Sequence, residues 1–184
     1  GDRHYSLLFY SIDNIASINR AHGIRIGDKV LTACVRTLQK TVRNSDFLAR
    51  IEEDVFAILC LDISPNQTKS VALRIQNELG QIKVSESKLQ VETSCGISHN
   101  HKSENLKPQI LIQRAAQALQ LSRDTQCREP VCWRNQDITI TPKVASLTGI
   151  ITGNMAPDYQ RMTLMWNVIQ SIATSQPLEG IVSQ

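Results

Sequence analysis

Arg50-Ile51-Glu52-Glu53-Asp54-Val55-Phe56-Ala57-Ile58-Leu59, read together with Arg43-Asn44-Ser45-Asp46 just upstream, is the stretch that decides the fold. Two apolar runs, Phe47 to Ile51 and Val55 to Leu61, flank a short acidic step. Strand-length runs around a polar break predict a β-hairpin.

Strand and helix signals alternate on both sides of that hairpin. Leu7 to Ile12 is a largely apolar run suited to a central buried strand. A short helix through Ile15 and Ile18 is stopped by Gly23. Gly27-Asp28 then opens a second helix, with Asp28 as its cap and Leu31, Cys34, Val35, Leu38 and Val42 on one face. After the hairpin, Ser64-Pro65 starts a third helix with proline at its first position, and Gly80 ends it. Leu89 to Ile97 reads as a strand and His99 to Lys107 as a polar loop. Pro108 leads a helix through Leu111, Ala115, Ala118 and Leu119, and Val131-Cys132-Trp133 closes as a short strand.

The order β-α-α-β-β-α-β-α-β predicts an α+β sandwich: a mostly antiparallel central sheet of about five strands flanked by helices. Residues 1–135 form the expected domain. Residues 136–155, rich in Thr, Gly and Ile, read as a linker or β-like extension. Residues 156–184 read as an amphipathic helical extension carrying Met162, Met165, Trp166 and Ile169, leading to a further domain of a longer protein.

Composition narrows the function classes. With 184 residues the chain can bury a real core. Its net charge of +3 is too weak and dispersed to argue for nucleic acid, and 4% aromatic content leaves few platforms for stacked bases. The five cysteines show no C-x-x-C spacing, and Cys34, Cys60 and Cys95 sit in apolar elements, which favours a reduced, cytoplasmic setting. No apolar run approaches the length of a membrane span, so no direct membrane insertion is expected.

Several stretches besides the hairpin then fall in one recognisable order. Ser11-Ile12-Asp13 is followed by Ile18-Asn19, Gly23 and Gly27-Asp28. Val91-Glu92-Thr93-Ser94-Cys95-Gly96-Ile97 and Ala115-Ala116-Gln117-Ala118-Leu119 come later. Together, over about residues 5 to 134, they resemble the GGDEF (diguanylate cyclase) family, with Glu52-Glu53-Asp54-Val55-Phe56 standing where the signature motif lies. The resemblance implies a nucleotidyl-cyclase-like sandwich and a site that joins two GTP molecules with the help of divalent ions. It also implies that this site is altered. Ser11 stands at a metal acid's position, Glu52 and Glu53 replace the glycines that cradle phosphate, and Val55 replaces an acid. Ala16 stands for a lysine, and Cys127 for an arginine. Asp54 is the remaining metal-ligand type in the hairpin, and Arg123 stands for a phosphate-binding lysine. The expectation is therefore a catalytically inactive module with no cofactor, no metal and no catalytic residue.

Two recognition sets remain. Arg43 and Asp46 stand at the family's R-x-x-D inhibitory position, and Arg74 at the further arginine, so the resemblance implies a receptor for cyclic di-GMP. The residue types suit it: a guanidinium fork meets guanine O6/N7 or phosphate, and a carboxylate accepts from N1 and N2. By themselves Arg43 and Asp46 also read as a surface ion pair, and Arg74 as a solvated helix residue. Asn19 and Asp28 match the family's guanine-reading pair, a remnant of GTP binding; they also read as a turn residue and a helix cap. The alternatives are a dimerisation or interaction scaffold that binds no nucleotide, and a GTP-binding regulator. Partners expected besides cyclic di-GMP are flanking domains of a longer chain and a second copy of the protein. His99-Asn100-His101 reads as solvated loop rather than metal site.

Overall fold

The computed structural model describes residues 4–83, 89–100 and 106–134. Five strands and four helices follow the expected order: β1 (Tyr5–Ile12), α1 (Ile15–His22), α2 (Ile24–Thr41), β2 (Phe47–Arg50), β3 (Val55–Leu61), α3 (Pro65–Gly80), β4 (Thr93–Asn100), α4 (Pro108–Asp124) and β5 (Val131–Cys132). The strands make one sheet in the order β2-β3-β1-β4-β5. Its pairings are antiparallel except β4 with β5, which run parallel.

β1 is central because all eight of its residues are buried, which requires cover on both faces. Leu8, Tyr10 and Ile12 face a core completed by Ile18, Val30, Cys34 and Leu38 of α1 and α2, and by Ala72, Ile75 and Leu79 of α3. The alternate residues Tyr5, Leu7 and Phe9 face Leu111, Ala115 and Leu119 of α4, with Val55, Ala57 and Leu59 beside them. Three helices thus cover one face and α4 covers the other. Tyr10 carries its phenol into the first core at no polar cost, since the hydroxyl donates to the Ala72 carbonyl at 2.7 Å.

Local chemistry sets the helix ends. α3 begins with a capping box: the Ser64 side chain accepts from the Gln67 N–H, and Gln67 Oε1 accepts from the Ser64 N–H. Between α1 and α2 the chain turns on Gly23, whose φ of +84° few other residues adopt. That turn corrects the expected start of α2. The helix begins at Ile24, directly after Gly23, so Gly27 and Asp28 lie inside it and Asp28 is not its cap.

β4 starts at Thr93 rather than Leu89. Residues 89–92 are held instead by the Asn14 side chain, which donates to the Gln90 carbonyl and accepts from the Glu92 N–H. At its other end β4 runs on through His99 and Asn100, which correct the expected loop. His99 Nδ1 lies 2.8 Å from Ser6 Oγ, itself 2.9 Å from Thr68 Oγ1, so His99 is a strand residue tied to the core. His101, the linker 136–155 and the helical extension 156–184 lie outside the described residues. Among the described residues no helix is long and apolar enough to cross a membrane, and Cys34, Cys60 and Cys95 are free and buried.

The contact of α4 with the sheet depends on Gly96. A Cβ there would meet the backbone of α4 at 2.1 Å (Leu119 N) and 2.5 Å (Ala115 O). Gly96→Ala must push the helix off β4, and overpacking of this kind costs about 1–3 kcal/mol. A urea titration should show the midpoint falling accordingly, and an unchanged midpoint would mean that α4 is not seated on Gly96.

Candidate functional site

A cleft of ≈ 890 Å³ opens where the ends of β1, β3 and β4 meet the end of α4. The hairpin turn reaches it because the Ile12 N–H donates to the Asp54 carbonyl at 2.9 Å, extending the β1–β3 ladder by one bond. Arg50 braces the turn from behind. Its guanidinium donates to the carbonyls of Glu52 and Glu53 and lies over the Phe56 ring, 5.9 Å from the centroid. Neither glutamate has a positive φ; among the described non-glycine residues only Asp62 and Gln126 do. The turn therefore keeps the hairpin's course without any backbone conformation that calls for glycine.

α4 delivers the cleft's cation. The helix ends in a Schellman arrangement, with the Cys127 N–H bonded to the Ser122 carbonyl, the Gln126 N–H to the Arg123 carbonyl, and Gln126 at φ +49° in the position that usually takes glycine. This turn sets Arg123, Cys127 and Arg128 along the cleft wall. Arg123 donates to Ser11 Oγ. Its Nε lies 3.6 Å from Asp13 Oδ1, and its Nη2 lies 3.5 Å from Asp54 Oδ2. Ser94 completes the cluster by donating to Asp13 Oδ2 at 2.7 Å. Val55 is elsewhere: 3% exposed and opposite Ser11 in the ladder, it packs in the α4-side core.

This donor set does not fit a pair of divalent ions. Two carboxylates and two hydroxyls converge, but a guanidinium already lies between the carboxylates. Among the described residues no group of three or more histidine, cysteine, aspartate or glutamate side chains is arranged to hold a metal. The family correspondences that expected Asp54 and Arg123 at this cleft are met in position. What sequence reasoning missed is their pairing with each other and the part played by Ser94. Asp13, read in the sequence as lying two residues on from Ser11 on the same strand face, instead follows β1 in the turn after Ile12.

The second predicted set lies at the far end of β3. α2 ends at Thr41, and the Arg74 guanidinium, reaching across from α3, donates to the Thr41 carbonyl at 3.1 Å. Two residues on, Arg43 opens a turn closed by the bond from the Asp46 N–H to the Arg43 carbonyl. Asp46 points to β3, where Oδ1 accepts from the Leu61 N–H at 3.3 Å, rather than forming an ion pair with Arg43. Arg43, Asp46 and Arg74 thus share one corner, with Arg43 and Arg74 exposed. Beneath it lies the Cys60 thiol, pushed up to about 12 by burial first and by Asp46 second, with Arg43 pulling the other way.

Asn19 and Asp28 come out differently. Asn19 Oδ1 is turned inward with no hydrogen-bond partner among the described residues, so close to Gly27 that a Cβ there would meet it at 1.7 Å. Asp28, next to Gly27, is exposed on α2. The two residues are neighbours across the α1–α2 junction, but the amide does not face outward beside the carboxylate.

The fold and its hairpin are those of a GGDEF domain, and the chain belongs to that family: residues 1–128 match the diguanylate cyclase GGDEF domain. The chain is 30% identical over 132 residues to YhcK of Bacillus subtilis, covering 70% of this chain and 36% of that protein. It is 30% identical over 78 residues to DgcT, a probable diguanylate cyclase of Escherichia coli K12, covering 42% of this chain and 17% of that one. The chain therefore spans well under half the length of these relatives. Among solved structures, the GGDEF domain of DgcB from Caulobacter crescentus, in complex with cyclic di-GMP, superposes with a TM-score of 0.64 at 18% identity, over 71% of this chain and 78% of that one. At that identity the likeness concerns the fold.

The buried thiols give a pH signature. Folding raises Cys60, and likewise Cys34, from 9.0 to about 12. The folded state thus holds protons that the unfolded chain releases above pH 9. This contribution to stability is complete below pH 9 and is lost as pH rises towards 12. Urea midpoints should fall across that window, and Cys60→Ala should flatten the slope whatever it does to the midpoint at pH 7.

Proposed function

We propose that this GGDEF domain is a catalytically inactive module that receives cyclic di-GMP at the corner formed by Arg43, Asp46 and Arg74. The observation that carries the reading is the Arg74 bond to the end of α2. It brings a second guanidinium to the turn that bears Arg43 and Asp46, which supports a ligand meeting two planar donor forks and, once Asp46 turns from the Leu61 N–H, one carboxylate. Guanine offers O6 and N7 to a fork and N1–H and N2–H₂ to a carboxylate, and the phosphates take the remaining donors. The solved DgcB domain in complex with cyclic di-GMP supports the same fold as a host for this ligand. Inactivity is supported by the cleft: Ser11 offers no charge to a metal, Val55 is core, and Arg123 already pairs with Asp13 and Asp54. Cytoplasmic action and coupling to flanking domains follow from the same reading.

Calorimetry with cyclic di-GMP tests it. Wild-type protein should bind with low-micromolar or tighter affinity. Loss of one partner in a charge-assisted pair costs about 2 kcal/mol or more when the pair is desolvated, or roughly thirtyfold in affinity. Arg43→Ala and Arg74→Ala should each weaken binding by about that factor, whereas Asn19→Ala should leave it unchanged. Asp46→Asn should weaken it too, with a melting curve run alongside because Asp46 also holds the Leu61 N–H. No heat at high micromolar ligand would sink the receptor reading and leave an interaction scaffold. Incubation with GTP and Mg²⁺ or Mn²⁺ should yield no cyclic di-GMP above a protein-free blank, and clear turnover would overturn the assignment of inactivity.

A further inference from the structure

We infer that Arg123 is the built-in counter-cation of the cleft, holding Asp13 and Asp54 in the charge balance that a divalent ion would otherwise supply, so that the cleft takes no divalent metal. The inference deepens the inactive reading of the same cleft and is independent of the cyclic di-GMP corner.

Asp13 and Asp54 come from different strand ends, and both lie within 3.6 Å of a single guanidinium whose third contact is Ser11 Oγ. Without a cation the two carboxylates would repel each other at the cleft wall. Mg²⁺ and Mn²⁺ prefer carboxylate oxygen and water, so Asp13 and Asp54 are the two groups here that would attract one. The competing cation, however, is part of the chain. The Schellman turn after α4 fixes where the arginine emerges, and Ser94 holds Asp13 from the side away from it. A tethered guanidinium is always charged and always present at high effective concentration, whereas a metal must be drawn from millimolar solution and partly dehydrated. A divalent ion entering between the carboxylates would also stand against a positive charge that must first swing aside on its own side chain. Arg123 is in this sense a positioning residue: it ties α4 to the ends of β1 and β3 by charge.

Mn²⁺ titration followed by the electron paramagnetic resonance of the free aqua ion reads this without any assay of activity. Wild-type protein should withdraw no more Mn²⁺ than Asp54→Asn does. Arg123→Gln, which keeps length and hydrogen bonding but removes the charge, should gain a site at least tenfold tighter than any in the wild type. Adding Asp54→Asn to that variant should abolish the site. The inference is overturned if wild type binds Mn²⁺ in a manner that Asp54→Asn removes, or if folded Arg123→Gln binds no more than wild type. Should Arg123→Gln fail to fold, the comparison of wild type with Asp54→Asn decides alone: equal withdrawal supports the counter-cation and a deficit in the variant refutes it. Mn²⁺ binding by wild type without GTP turnover would sink this inference and leave the inactive reading standing. Turnover would sink the inactive reading whatever the titration shows.

Discussion

Both edges of β1 are hydrogen-bonded and both of its faces are buried, and everything functional in this domain depends on that strand. Ser11 pairs with Val55 in the last rung on one side and with Ser94, one rung short of the end, on the other, so two ladders bring three chain segments to one point. The ladders continue just past the strand: Ile12 holds Asp54, and Asp13 bonds the Glu92 carbonyl through its own N–H. A strand that cannot slip leaves its end residues no freedom, because a one-residue shift would carry Leu7 and Phe9 out of the α4 core. The geometry of the cleft is therefore inherited from apolar packing several residues away.

That inheritance explains why Ser11, Val55 and Arg123 sit together. Ser11 and Val55 are directly opposite and on the α4 side of the sheet, where Val55 joins Leu7 and Phe9 in the core. A carboxylate at either position would need a partner, and the cation within reach, Arg123, is already engaged with Asp13 and Asp54. The set Ser11, Val55 and Arg123 is thus mutually consistent in charge, and changing one residue back would unbalance the other two. The same holds for the turn, where Arg50 grips the carbonyls of Glu52 and Glu53.

Much of this fold was legible in the sequence, and what was not has a common cause. β1, the hairpin, α3 with its Ser64-Pro65 start, and the Pro108 start of α4 are local: a few neighbouring residues determine each. The start of α2 was misread because Asp28 has cap chemistry, whereas the break is made by the backbone of Gly23 five residues earlier. Val91 read as strand because it is apolar, but it reaches the core from a segment that the Asn14 side chain holds across the chain. His99 looked like loop because polar residues follow it, although its partner Ser6 is 93 residues away. Arg74 was reached only by counting without gaps from Phe56, whereas its bond to the Thr41 carbonyl spans 33 residues. The Arg123 cluster could not be foreseen, since no local pattern states which carboxylates a helix-terminal arginine will meet.

β3 separates the two candidate sites. Its first residue, Val55, follows the cleft residue Asp54, and its last, Leu61, bonds the corner residue Asp46. Six steps at about 3.3 Å put roughly 20 Å between them. Over that distance an exposed charge at one site is largely screened from the other. The backbone of the corner rests on the end of α2, the Arg43–Asp46 turn and the far end of the sheet, while α3 reaches both sites, carrying Arg74 to the corner and Leu73, Gln76 and Asn77 to the cleft. Ser11, Asp54 and Arg123 lie outside α3, so a substitution at one of them reaches the corner through packing rather than through a shared residue. On the proposed reading, a silent cleft and a receptive corner are thus built on opposite ends of β3 and joined through α3.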